Sequence, residues 1–244
     1  MVERKYIAPN AITAANMFLG YLSITASIAG DFSKAIWFII LAMVCDGLDG
    51  KTARKLDAFS EFGKEFDSFC DAISFGIAPA ILVFSVLTKS PGINSFIIPI
   101  SFIYALCGVM RLVKFNIVTT ASSEKDDFSG MPIPSGASVV CSYLLFVEAI
   151  NDTMALNMFS VEIFVGLTLI SAILMVSTVP FKTPDKVFNF IPKKMMIPFV
   201  VLILVTLKYS MFIVTMYYVL VNLGKFFLDR RKDDSGDHHE EENV

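Results

Sequence analysis

Residues 46–71 read DGLDGKTARKLDAFSEFGKEFDSFCD, and this stretch joins two long apolar segments of the chain. Four of its aspartates fall into two helically spaced pairs, Asp46 with Asp49 and Asp67 with Asp71. A carboxylate in a membrane helix costs free energy unless it faces a partner, a water-filled cavity or a metal. The stretch therefore predicts a helical hairpin that carries an acidic functional site at a membrane surface.

The composition around this stretch is that of an integral membrane protein. Hydrophobic residues make up 55% of the 244 residues and charged residues only 18%, whereas soluble domains carry about 25% charged residues. About eight apolar stretches approach the length of a membrane span. They cover residues 11–29, 35–55, 71–88, 94–116, 134–150, 157–179, about 196–207 and 210–228. We therefore expect an all-α, polytopic bundle of about eight transmembrane helices over residues 1–228, followed by an acidic, disordered cytoplasmic tail over 229–244.

The basic residues predict the orientation of these spans. With alternating short and long loops, only Lys34, Lys89 and Lys208 fall on one side, which leaves 17 of the 20 basic residues on the other. Lysine and arginine are retained on the cytoplasmic side of short loops. We therefore expect a multi-pass protein of the cell membrane, with both termini and the acidic stretch on the cytoplasmic side.

The positions of the cysteines and histidines do not indicate a zinc site or a catalytic histidine. The four cysteines lie in apolar segments without a Cys-x-x-Cys pair, and both histidines, His238 and His239, lie in the acidic tail. This pattern is not typical of a zinc site. Acid–base chemistry in the membrane domain must therefore come from carboxylates, lysine, tyrosine or cysteine.

The aspartate spacing predicts a metal site. Asp46 and Asp49 share one helix face, and Asp67 and Asp71 share another. A turn around residues 60–63 would fold the two helices back and bring the pairs face to face. Four facing carboxylates repel each other strongly, which divalent cations would relieve. An all-oxygen ligand set favours Mg²⁺ or Mn²⁺, and four carboxylates can hold two ions.

A glycine and an arginine beside the aspartates indicate the ligand. Gly50 lies on the face of Asp46 and Asp49, where a missing side chain lets a bulky polar ligand approach, although membrane glycines also serve close packing. Arg54 follows one turn later and can grip phosphate oxygens with paired donors; a lone arginine there is more often an interfacial anchor. Metal beside arginine favours a phosphate-bearing ligand.

These residues together resemble the motif of the CDP-alcohol phosphotransferase family, D-x-x-D-G-x-x-A-R-x(8)-G-x(3)-D-x(3)-D. Every fixed position of that motif is matched, by Asp46, Asp49, Gly50, Ala53, Arg54, Gly63, Asp67 and Asp71. The segment Pro9–Asn16 is also similar to the start of the family's first helix. The resemblance covers roughly residues 5–140 and implies a six-helix core, so that two spans are C-terminal additions.

The resemblance implies the transfer of a phosphatidyl or related group from a CDP-linked lipid to an alcohol, with release of CMP. It assigns metal ligation to all four aspartates and makes Asp71 the base as well. A direct displacement is the expected reaction, and a covalent aspartyl intermediate is the less favoured alternative. The implied contacts to the CDP-lipid are Asn10, Thr13, Gly50, Arg54 and Ser60. It also suggests a homodimer.

Three further segments narrow the expected acceptor. Residues 60–80, 111–116 and 128–137 resemble the branch of the family that uses serine, with Met131 in place of the usual leucine. We therefore expect CDP-diacylglycerol as donor and L-serine as acceptor. Contacts to serine or to phosphate are expected from Arg111, Lys114 and Glu65; for the two basic residues, anchoring at the bilayer surface is an equal alternative.

Two other functions stay open at this point. One is the same chemistry with another alcohol, such as glycerol phosphate, inositol phosphate or choline. The other is a cation transporter, which can also place carboxylates on two helices; an acidic cluster at one membrane face beside an arginine argues against it. The expected partners are thus the two substrates, the lipid bilayer and a second copy of the chain, without a nucleic acid.

Overall fold

The fold of the chain is seen in a computed structural model, which describes residues 4–90, 95–121, 130–154, 158–181 and 206–240. These residues are helical apart from short connections and contain no β-strand, which confirms the predicted all-α class. The helices are α1 (Ile7–Ala29), α2 (Phe32–Lys55), α3 (Glu61–Asp71), a π-helical segment (Ala72–Ile77), α4 (Ala78–Thr88), α5 (Ile97–Ala121), α6 (Ile133–Met154), α7 (Val161–Val176) and α8 (Leu207–Glu240).

The described helices suit a bilayer. Five of them are long and apolar enough to cross a membrane: α1, the continuous run Glu61–Thr88, α5, α6 and the Leu207–Leu228 part of α8. Large apolar side chains cover their outer surfaces, as at Phe18 and Leu220, which are 59% and 66% exposed. The chain is therefore a multi-pass membrane protein. The predicted span at about 196–207 lies almost wholly outside the described residues, so the number eight stays a prediction.

The first two helices form a tight hairpin. Gly30 adopts a φ of 81° at the end of α1, and the Asp31 side chain accepts a hydrogen bond from the Lys34 backbone N–H at the start of α2. The buried stripe of α1 consists of small residues, namely Pro9, Thr13, Asn16, Gly20, Ser23 and Ser27. Small side chains let membrane helices approach closely, and α1 packs along α2 and against the π-helical segment through this stripe.

The third span differs from the prediction in its start and its shape. The apolar stretch begins near residue 71, whereas the helix begins at Glu61, close to the turn expected around residues 60–63, so Asp67 and Asp71 lie inside a continuous helix. Directly after Asp71 the helix widens into the π-helical segment, a form that is frequent at functional sites. The apolar pattern missed the first ten residues of this helix because half of them are polar or charged.

The last helix is also longer than predicted. Its backbone stays helical through Glu240, well beyond the expected end of the membrane domain at residue 228. A hydropathy pattern ends where charges begin, whereas a helix can continue into water because its backbone hydrogen bonds are internal. The boundary between domain and tail stays a prediction.

Candidate active site

Three of the predicted metal ligands meet between α2 and α3. Asp46, Asp49 and Asp67 each offer one carboxylate oxygen, and these oxygens all lie within 4.8 Å of one another. A turn at residues 56–60 joins the two helices. Helix α3 begins directly after Ser60, whose Oγ accepts a hydrogen bond from the Gly63 N–H at 2.9 Å. The expected face-to-face arrangement of the two helices is confirmed for these three carboxylates.

Helix α1 holds one of these carboxylates in place. Asp49 is 5% exposed, and its Oδ2 accepts a hydrogen bond of 2.8 Å from Thr13 Oγ1, which also lies 3.1 Å from the Pro9 carbonyl oxygen. Thr13, which the family resemblance links to the CDP-lipid, is itself 4% exposed. In this structure its hydroxyl orients Asp49.

The acidic cluster fits a divalent cation. Asp67 Oδ1 is buried and finds no hydrogen-bond partner among the described residues. A buried carboxylate oxygen without a partner is costly, so it requires a proton or a cation. The three nearby ligand groups are all carboxylates, a donor set that suits Mg²⁺ or Mn²⁺ better than zinc.

Asp71 has a different environment from the other three aspartates. It is 8% exposed and does not belong to the group of mutually close oxygens, although the charges of Asp46 and Asp67 act on it. Its Oδ1 accepts a hydrogen bond of 3.0 Å from Asn16 Nδ2. Asp71 is thus set apart as an oriented carboxylate beside the cluster.

Asn16 is a site residue to which the sequence interpretation gave no role. It is fully buried, and its Oδ1 has no hydrogen-bond partner within the described parts of the chain. Its spacing after Thr13, which places both on the buried stripe of α1, is the signal that could have found it.

The predicted nucleotide contacts lie around the rim of the cluster. A Cβ on Gly50 would make only an ordinary contact with the Arg54 guanidinium nitrogens, at 3.9 Å, so the Arg54 side chain lies over Gly50. A Cβ on Gly63 would lie 3.0 Å from Ser60 Oγ and 3.5 Å from Asn10 Oδ1. Arg54 is exposed and lies over Gly50, the residue next to Asp49, whereas Ser60 and Asn10 lie around Gly63 near the start of α3.

The sequence model of the CDP-alcohol phosphatidyltransferase family matches residues 6–184, which include every residue of this site. The chain belongs to this family.

Several relatives of known name are similar to the chain. A CDP-diacylglycerol--serine O-phosphatidyltransferase of Helicobacter pylori is 34% identical over 182 residues, 75% of this chain and 74% of that protein. An archaetidylserine synthase of Methanothermobacter thermautotrophicus is 40% identical over 139 residues, 56% and 57% of the two chains. A CDP-diacylglycerol--serine O-phosphatidyltransferase of Bacillus subtilis is 42% identical over 127 residues, 52% of this chain and 68% of that protein.

The three residues expected to contact the acceptor differ in their distance from the aspartates and in their exposure to solvent. Arg111 lies within electrostatic range of Asp71 and is largely shielded from solvent. Lys114 is half-buried on the same helix. Glu65 is exposed, and its offset of two residues from Asp67 turns it to nearly the opposite side of α3. The structure thus brings Arg111 to the site and leaves Glu65 outside it.

Proposed function

We propose that this chain transfers the phosphatidyl group of CDP-diacylglycerol to the hydroxyl of L-serine, which yields phosphatidylserine and CMP. The observation that carries the proposal is the closure of the family's acidic motif into one site, with three carboxylate oxygens within 4.8 Å and Asp71 beside them. The names of the relatives support serine as the acceptor, because all three concern serine-linked lipids.

The donor would bind at the rim of the acidic cluster. Arg54 offers paired N–H donors for the oxygens of the pyrophosphate, and the missing side chain at Gly50 lets that group approach the helix beside Asp49. Asn10 and Ser60, which both border Gly63, would contact the nucleotide part of the donor.

Asp46, Asp49 and Asp67 would hold the divalent metal, with Asp71 as a further ligand, and we propose two ions of Mg²⁺ or Mn²⁺. When bound, such ions neutralise charge on the pyrophosphate and on the departing CMP. The protein's part is to fix the ligands. Thr13 does this for Asp49, and the Ser60 cap does it for the start of α3.

The reaction would be a single displacement. The serine hydroxyl oxygen forms a bond to the lipid-attached phosphorus, the bond from that phosphorus to CMP breaks, and the hydroxyl proton passes to Asp71. Asn16 keeps Asp71 Oδ1 engaged, so the carboxylate is oriented before serine arrives. No nucleophile from the protein is required.

We propose that this chemistry occurs on the cytoplasmic face of the cell membrane, with both termini on that side; the distribution of basic residues among the loops supports this orientation. The family resemblance adds a second copy of the chain as a partner. Both statements are part of the proposal.

An acceptor panel tests the proposed reaction. Detergent-solubilised protein is given CDP-diacylglycerol, Mn²⁺ and labelled L-serine, glycerol phosphate, inositol phosphate or choline, and the release of CMP is measured. We expect release that depends on serine, its loss on chelation of the metal, and its recovery when Mg²⁺ or Mn²⁺ is restored. Release with another alcohol alone would replace serine as the acceptor, and no release with any alcohol would refute the transferase itself.

A further inference from the structure

Helix α8 begins beyond residue 184, where the match to the family ends. It packs against α6, and Ser138 Oγ and Thr215 Oγ1 share a hydrogen bond of 2.9 Å between the two helices. One turn further along, the Tyr218 hydroxyl shares a hydrogen bond with the Ser135 side chain. Tyr218 is 5% exposed, so its hydroxyl faces the interior of the bundle.

Arg111 of α5 lies near the end of α6 that carries Ser135. A Cβ on Gly108, one turn before Arg111, would lie 3.0 Å from Ile133 Cδ1 at the start of α6. The Arg111 guanidinium lies 5.0 Å from the centre of the Phe115 ring, and it interacts electrostatically with both Asp71 and Tyr218. Arg111 therefore neighbours the carboxylate cluster as well as the start of α6.

Helix packing accounts for the approach of Arg111 to Asp71. Helix α5 runs antiparallel to α3 and the π-helical segment, as two contacts show. Asn116 Nδ2 donates to Ser68 Oγ at 3.0 Å, and the Tyr104 hydroxyl donates to the Phe75 carbonyl at 3.3 Å. Asp71 lies between Ser68 and Phe75 along its helix, and Arg111 lies between Tyr104 and Asn116 along α5. Because these two contacts fix the register of the two helices, they also bring Arg111 to the level of Asp71.

The position of Ser135 is fixed by the segment before α6. Gly130, at a φ of 90°, donates its N–H to the Val179 carbonyl at 2.9 Å, and the Met131 N–H donates to the Leu174 carbonyl at 2.9 Å. A Cβ on Gly130 would lie 2.5 Å from the Met175 carbonyl oxygen, so the clamp onto the end of α7 requires glycine. Helix α6 starts directly afterwards, with Ser135 in its first turn.

We infer that Arg111 binds the carboxylate of the serine acceptor and that Tyr218, supported by Ser135, is the positioning residue that holds its guanidinium, so that α8 forms one wall of the acceptor pocket. The inference rests on the proposed function. A serine carboxylate near four aspartates is repelled unless a cation receives it. The planar fork of arginine binds a carboxylate through two parallel hydrogen bonds, which requires a fixed orientation.

The test is Tyr218→Phe, which removes the hydroxyl and keeps the ring that packs on Phe181 at 6.0 Å. We expect the KM for serine to rise about tenfold, because the hydroxyl that is fixed by Ser135 beside Arg111 is lost and the guanidinium no longer keeps one orientation toward the carboxylate. The kcat and the KM for CDP-diacylglycerol should stay within about twofold of wild type. The matched control is Tyr217→Phe, since Tyr217 is the neighbouring tyrosine and is 41% exposed; its kinetics should not change.

Serinol has a hydroxymethyl group in place of the carboxylate of serine. A comparison of the two acceptors therefore distinguishes the loss of carboxylate binding from a general structural effect of the substitution. Wild type should prefer serine to serinol in kcat/KM, and Tyr218→Phe should reduce that preference about tenfold. Ser135→Ala should give the same pattern more weakly, and the double variant should be no worse than Tyr218→Phe alone because the two residues act as a unit.

An unchanged KM for serine in both Tyr218→Phe and Ser135→Ala would overturn the inference. So would an equal rise in the KM for CDP-diacylglycerol, which would assign Arg111 to phosphate instead of serine. Either result leaves the proposed function standing, provided that wild type uses serine. If wild type does not use serine, the proposed function fails, and the inference fails with it.

Discussion

Asp71 differs from its three acidic neighbours in what it contacts. Asp46, Asp49 and Asp67 converge on each other, whereas Asp71 receives a hydrogen bond from Asn16. A carboxylate that is oriented by an amide, next to a cluster that binds cations, is suited to take a proton from a substrate hydroxyl. The four aspartates can therefore have different functions, although their side chains are identical, because they contact different groups.

Replacing Asp71 by Asn tests this division. Asparagine keeps an oxygen that can accept from Asn16 but cannot take the proton, so kcat should fall about 10³-fold while binding of the CDP-lipid is largely retained. Asp46→Asn should instead raise the metal concentration needed for half-maximal activity and weaken nucleotide binding. Steady-state kinetics over a Mn²⁺ titration measures both effects.

The control for these variants is Asp57→Asn. Asp57 lies in the turn before α3 with a φ of 47°, a conformation that asparagine also tolerates, so activity should be unchanged. Turnover above a tenth of wild type in Asp71→Asn would remove Asp71 as the base.

The element that positions Asp71 is the contact between α1 and the π-helical segment. Ser74 Oγ donates to the Asn16 carbonyl at 3.0 Å, and Gly20 of α1 lies directly against Ser74. Because the same turn of α1 carries Asn16, the fit between these two elements controls the geometry at Asp71. Close helix packing and the active site are therefore coupled.

Gly20→Ala should disturb both stability and activity. The added Cβ would lie 2.5 Å from Ser74 Oγ and 2.8 Å from Ser74 Cα, so the backbones must separate, at a cost of about 1–3 kcal/mol. We expect a lower midpoint of thermal unfolding in detergent and a reduced kcat.

Gly166→Ala in α7 is the matched control, since its Cβ would meet nothing within 4 Å. Alanine is the better helix former by about 1 kcal/mol, so this variant should be as stable as wild type or more stable. A Gly20→Ala protein with wild-type stability and activity would contradict the proposed coupling.

For the whole molecule, the main question is which face of the membrane holds the site. The turn between α2 and α3 carries the acidic stretch, whereas Lys89 follows α4 at the other end of the continuous run Glu61–Thr88. Positions before and after one span must lie on opposite faces if that helix crosses the bilayer. The loop charges predict that the acidic end is cytoplasmic.

Single-cysteine labelling measures the orientation. In a background without the four native cysteines, Lys89→Cys should react with a membrane-impermeant maleimide in intact cells. Phe59→Cys, at a position that is 66% exposed in the α2–α3 turn, should react only after the membrane is permeabilised. The reverse pattern would contradict the proposed topology.

The amino-acid sequence alone determined the class of the molecule and the chemistry of its acidic site. Low charge and long apolar stretches indicate a helical membrane protein, and the offsets from Asp46 to Asp71 predict two acidic helix faces that meet. Such features are readable because helical periodicity and hydropathy are local properties. Hydropathy alone placed the start of the third span about ten residues too late, because charged residues alternate with apolar ones in the first turns of α3.

Only the tertiary structure decided how the site is divided and what surrounds it. It linked Asn16 to Asp71 across 55 residues and brought Tyr218 of α8 opposite Ser135 at the start of α6. None of these relations has a spacing that marks it in the sequence. They arise from the register in which separate helices pack, and that register depends on how small residues such as Gly20 and Gly130 let distant backbones approach.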